Sequence, residues 1–118
     1  MRLGRELAAK CLALANEPSI PAPPLDCSEE VFQSRVTKLA TALGWKWHHH
    51  TISKMSKAGW FDLFLVRRPR TIFAELKTMK GTQSDAQKEW AEDVRGCGHE
   101  VYCWRPDAWQ TITAILRG

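Results

Sequence analysis

Residues 59–77 read GWFDLFLVRRPRTIFAELK, two apolar runs rich in aromatic and branched side chains around a basic, proline-containing turn. Runs of this kind pair as a β-hairpin whose side chains alternate between faces. A turn centred between Arg68 and Pro69 sets Val66 against Thr71, Phe64 against Phe73 and Asp62 against Glu75. Directly opposed side chains have β-carbons about 4.5–5.5 Å apart, so this register puts two carboxylates side by side. Lys77, two residues beyond Glu75, points to the same face. The alternate positions Phe61, Leu63, Leu65, Ile72, Ala74 and Leu76 read as buried. Facing carboxylates repel unless a cation lies between them. A divalent ion such as Mg²⁺, which favours hard oxygen ligands, supplies that charge. With a lysine alongside, this is equipment for phosphodiester hydrolysis. The residues alone leave a second reading open, in which Lys77 bridges one acid while the other sits at a solvated strand end.

The flanking sequence is well punctuated. Ser28 or Asp26 can cap a helix that carries Phe32, Val36, Leu39 and Leu43 on one stripe and that Gly44 ends. Glu29 lies at the edge of that stripe, where a first-turn acid favours the helix dipole, and Glu30 turns to solvent. WKWHHHTI alternates as a strand, with Trp45, Trp47 and His49 on one face and Lys46, His48 and His50 on the other. SKMSKAG is a basic loop. Ser84 and Gln87 form the S-x-x-Q capping pattern of a second helix, with Trp90 and Val94 facing the core and Gln87 in line. HEVYCW is a strand and DAWQTITAILRG a terminal helix with Trp109, Ile112, Ile115 and Leu116 as its apolar positions. The core order is α-β-β-β-α-β-α, an α/β chain of the α+β type.

The 118 residues are enough for one domain with a core that folds alone. The net charge of +4 and a pI near 9.0 suit a polyanionic partner without demanding one. The tryptophans, 6 in all, are either core or a platform for bases or a partner. Cys11, Cys27, Cys97 and Cys103 are scattered and read as free thiols in a reducing compartment. A zinc site on Cys97, His99 and Cys103 is disfavoured, because structural sites pair their ligands more tightly. Arg5, Glu6 and Lys10 interrupt what would be a signal-peptide core, and no run approaches membrane-spanning length, so a cytoplasmic protein without membrane association is expected. Residues 1–25 read as a helix and a proline-rich arm, and residues 26–118 as the domain.

In the context of that layout the motifs resemble one family. EEVFQ followed by GW, then GWFDLFLV, FAELKTMKG, SDAQKEW and GHEVYCWRPDAW are similar to the VRR-NUC family of the PD-(D/E)XK nuclease superfamily. The resemblance covers most of the chain from about Ser28 onward. It implies an αβββαβ core with a mixed central sheet flanked by helices. It implies Mg²⁺ or Mn²⁺ held by Asp62, Glu75 and the Leu76 main-chain carbonyl, with Glu29 acting through a metal-bound water, Lys77 as the catalytic lysine and Gln87 pointing towards the site. His49 falls where members often carry a histidine. The family usually has proline before the aspartate, where this chain has Phe61. Lys54, Lys57, Arg67, Arg68, Arg70 and Lys80 are candidate phosphate contacts, which carry little sequence information. The implied activity is a structure-specific DNA endonuclease on branched DNA such as four-way (Holliday) junctions, working as a homodimer. The alternatives are a flap or general DNA nuclease, a DNA-binding module without turnover, and an interaction protein.

Overall fold

A computed structural model describes residues 20–50 and 58–118. The expected helix over residues 1–16, Cys11, Lys54 and Lys57 lie outside the described residues. Helix α1 spans Glu29–Ala42, followed by strands β1 (Lys46–His49), β2 (Leu63–Arg67) and β3 (Arg70–Leu76). Helix α2 (Asp85–Gly96), strand β4 (Glu100–Trp104), a 3-10 turn at Pro106–Ala108 and helix α3 (Trp109–Arg117) complete the chain. The class is α+β, in the expected element order. The sheet runs β1-β2-β3-β4, antiparallel except for the parallel pair β3–β4. That pair is parallel because α2 forms the crossover between its strands.

Local chemistry sets the element ends. Ser28, not Asp26, caps α1 by accepting the Val31 N–H at 3.2 Å. Gly44 leaves the helix at φ 87°, in the left-handed region that glycine enters freely. The capping box of Ser84 and Gln87 opens α2.

The hairpin pairs Leu63 with Ala74, Phe64 with Phe73 and Val66 with Thr71, the register that alternation predicts, but the ladder ends at Leu63–Ala74 and the expected Asp62–Glu75 pair lies beyond it. One sheet face presents Leu63, Leu65, Ile72, Ala74 and Leu76 to Phe32, Val36 and Leu39 of α1 and to Trp109, Ile112 and Leu116 of α3. On the other face Phe73 and Val101 pack with Phe61 and with Ala91 of α2. Phe61 therefore departs from expectation. It is buried, but against Phe73, at 5.3 Å between ring centroids, and not beside Leu63. The backbone bends at Asp62, ahead of β2, and strict alternation ends at that bend. The tryptophans are chiefly core. Trp45, Trp104 and Trp109 are buried, Trp60 and Trp90 pack around Phe61, and Trp47, 42% exposed, donates its Nε1–H to Thr41 at 2.9 Å. Cys27, Cys97 and Cys103 are free thiols. Among the described residues no helix is long and apolar enough to cross a membrane.

The arginines of the hairpin turn do not serve the acids. Arg67 Nη1 donates to the carbonyls of Leu43 and Leu116, each at 2.9 Å, and its guanidinium lies 4.6 Å from the Trp45 ring. Arg70 forks onto Glu100 at 2.9 and 2.8 Å and donates to the Ile115 carbonyl at 3.0 Å. Helix C-termini leave carbonyls unpaired at the negative end of the dipole, and these cations satisfy them. Arg68 is exposed at the same turn. At about 3.3 Å per residue the turn is some 17 Å along the strand from Asp62. Arg67, Arg68 and Arg70 thus lie at the opposite end of the hairpin from the acids.

Substituting Arg67→Ala should destabilise the fold by about 2–4 kcal/mol through lost charged hydrogen bonds and ring stacking. Arg68→Ala should stay within about 0.5 kcal/mol of the parent. Thermal melts of the two variants check this, and equal melting temperatures would contradict it.

Candidate active site

The chain reaches the site through a narrow passage. Gly59 has φ 85°, and a Cβ there would stand 2.5 Å from the Ala86 carbonyl carbon and 2.7 Å from the Gln87 nitrogen. Only glycine lets this segment pass so close to the α2 N-terminus. Trp60 then packs edge-on to Trp90 at 4.9 Å, and the Trp90 indole N–H donates to the Ala58 carbonyl at 3.1 Å. Beyond the bend, Asp62 Oδ2 accepts the Leu76 N–H at 2.8 Å, while the Asp62 carbonyl accepts the His50 N–H at 2.9 Å. The aspartate is thereby held between the ends of β1 and β3.

Glu75 lies on the α2 face of β3 and is only 1% exposed. Its Oε2 accepts the Gln83 amide N–H at 3.1 Å. Its Oε1 is buried and has no hydrogen-bond partner in the protein. Burial pushes the Glu75 carboxyl above its ordinary range and the charge of Asp62 adds to this, while the Gln83 bond and Lys77 oppose it. Lys77 follows on the same side, half-buried, with its own N–H held by the Trp104 carbonyl at 2.9 Å. Arg105 Nη1 clamps the loop after Lys77 by donating to the carbonyls of Thr78 and Gly81, each at 2.6 Å. Cys103 is the parallel partner of Glu75 across β4.

The structure brings together Asp62, Glu75 and Lys77 and leaves other expected residues apart. Glu29 is exposed at the first turn of α1. Among the described residues no three His, Cys, Asp or Glu side chains gather as a metal-holding group. Glu29 does not belong to a direct ligand cluster with the acid pair, and Cys97, His99 and Cys103 are not gathered into one either. Gln87 spends its Oε1 on the Ser84 N–H at 2.9 Å, as the capping box requires, and the amide that meets Glu75 is that of Gln83. His49 pairs with Leu63 and so shares the α1 face, whereas His50 is the histidine across from Asp62. Lys80 is exposed on a groove of about 490 Å³ with Leu25, Asp26, Cys27, Thr78 and Met79. Sequence reasoning missed Gln83 and Arg105. Gln83 carries one signal, its place directly before the Ser84 cap in a loop that returns past the end of β3.

The residues fit a hard divalent cation. Mg²⁺ is commonly held by one or two carboxylates and keeps several waters, so a third acid is not required. A buried carboxylate oxygen without a partner costs at least about 1–3 kcal/mol, and a cation at Oε1 removes that cost. Asp62 and Glu75 would hold the ion, with the Leu76 carbonyl as the adjoining main-chain oxygen.

The raised Glu75 pKa has a definite sign. The folded chain favours the protonated acid, so the stabilisation is complete below the ordinary value of 4.5 and is lost as pH rises through the higher folded value. In metal-free protein near neutral pH, Glu75→Gln should raise the melting temperature and flatten its decline above pH 4.5. A lower melting temperature for the variant would contradict this reading.

No family model, no curated protein and no solved structure matches the chain.

Proposed function

We propose that the chain is a Mg²⁺- or Mn²⁺-dependent endodeoxyribonuclease that hydrolyses phosphodiester bonds. Branched DNA is its substrate class and a four-way junction the first candidate. The observation that carries this reading is the buried Glu75 carboxylate beside Asp62, with one oxygen unpartnered and Lys77 on the same face. The resemblance to VRR-NUC nucleases, read from EEVFQ, GWFDLFLV, FAELK and SDAQKEW, supports it independently of the geometry. A symmetric dimer would set one such site on each of two strands of a junction.

A divalent ion held at this site would supply Lewis acidity at the scissile phosphate. Asp62 and Glu75 would hold that charge in place, and the Leu76 N–H fixes the orientation of Asp62. Water attacks phosphorus and releases a proton to solvent, the ester P–O bond breaks, and the leaving oxygen takes up a proton from solvent. Lys77 offers its ammonium to the charge that develops on the phosphate oxygens, where a preorganised donor is most effective. Lys80 and Arg105 add positive charge around the loop that follows Lys77. Backbone contacts of this kind favour recognition of DNA shape over base sequence.

End-labelled four-way junction, flap, single-stranded and duplex DNA, each with Mg²⁺, Mn²⁺ or EDTA, test the proposal. Cutting should require metal and favour branched DNA, and Asp62→Asn and Lys77→Ala should each lower it by about 10²-fold or more. Binding to every DNA without cutting would support a binding module instead. Neither binding nor cutting would overturn the nuclease reading.

A further inference from the structure

We infer that Gln83 is the positioning residue of the Glu75 carboxylate, an inference that rests on the metal-dependent reading above. Gln83 Nε2 donates to Glu75 Oε2 at 3.1 Å, which leaves Oε1 as the oxygen free to meet a cation. A carboxylate at the end of a glutamate stem rotates about its last bond. An amide holding one oxygen stops that rotation and sets which oxygen faces the metal. The amide is neutral, so it fixes the geometry without spending the negative charge that the metal needs. A lysine or arginine in its place would compete with the ion for that charge.

Gln83 is itself held. It directly precedes Ser84, whose N–H is bound by Gln87 Oε1 at 2.9 Å and whose hydroxyl accepts the Gln87 N–H at 3.1 Å. The Ala86–Gln87 peptide of the same helical turn packs against Gly59, three residues ahead of Asp62. The α2 N-terminus therefore anchors both acids, Glu75 through Gln83 and Asp62 through Gly59. Gln87 acts through this cap and does not itself meet Glu75.

Calorimetric titration with Mn²⁺ tests the role, using the wild type, Gln83→Leu, Gln83→Lys and Asp62→Asn, with melts of each metal-free protein alongside. Gln83→Leu should bind Mn²⁺ about tenfold more weakly, since ligand orientation by outer-shell partners typically accounts for 10–100-fold in affinity. In cleavage it should lower kcat and leave the KM for DNA unchanged. Gln83→Lys should melt at a higher temperature than the wild type, by pairing with Glu75, yet bind Mn²⁺ more weakly than the wild type. The Lys variant keeps the test decisive should Gln83→Leu fail to fold. If Mn²⁺ binding is lost in Asp62→Asn but neither Gln83 variant changes it, the Gln83 role is overturned and the nuclease reading stands. If the wild type binds no Mn²⁺, both are overturned.

Discussion

The end of the sheet is organised by one unfavourable interaction, the burial of the Glu75 carboxylate next to that of Asp62. Buried charge is tolerated only when it is paired and hydrogen-bonded. Here the protein supplies one amide bond to Oε2 and leaves Oε1 without a partner. It also commits an aspartate oxygen to the Leu76 N–H, which keeps Asp62 close to the end of β3. A fold selected for stability alone would replace Glu75 with an apolar or amide side chain. Under the proposed function, a divalent cation would be the charge partner that offsets this cost.

The two ends of the hairpin divide the work. At the turn, Arg67 and Arg70 satisfy the carbonyls that close α1 and α3, and stack over Trp45. That end is cross-linked into the core. At the open end the strands separate around Asp62, Glu75 and Lys77, and contacts come from loops: Gly59 under α2, Gln83 before its cap, and Arg105 on the Thr78–Gly81 carbonyls. A rigid sheet thus carries the charged groups, while the loops around it set their orientation.

Much of this is legible in the sequence. The hairpin register follows from a side-chain period of two and from a turn at Arg68–Pro69, and these two constraints alone oppose Phe64 to Phe73. The α1 stripe and the Ser84–Gln87 cap follow from helical spacing and local hydrogen-bond chemistry. What alternation cannot deliver lies where alternation stops. The bend at Asp62 sends Phe61 to the α2 face, and no residue type there announces it. His49 and His50 follow from parity only once β1 is registered against β2. The engagement of Arg67 and Arg70 depends on where α1 and α3 end in space, which charge patterning does not contain. Gln87 matches both a capping box and a site motif, and the local bond claims its side chain, leaving Gln83 to reach Glu75.

Crystals grown with Mn²⁺, examined for anomalous scattering at the manganese edge, would test the account most directly. It predicts a peak about 2.1 Å from Glu75 Oε1 and from the Asp62 carboxylate, with the Gln83 amide still on Oε2. A manganese ion bound elsewhere, or Glu75 Oε1 satisfied by a water with no metal beside it, would contradict it.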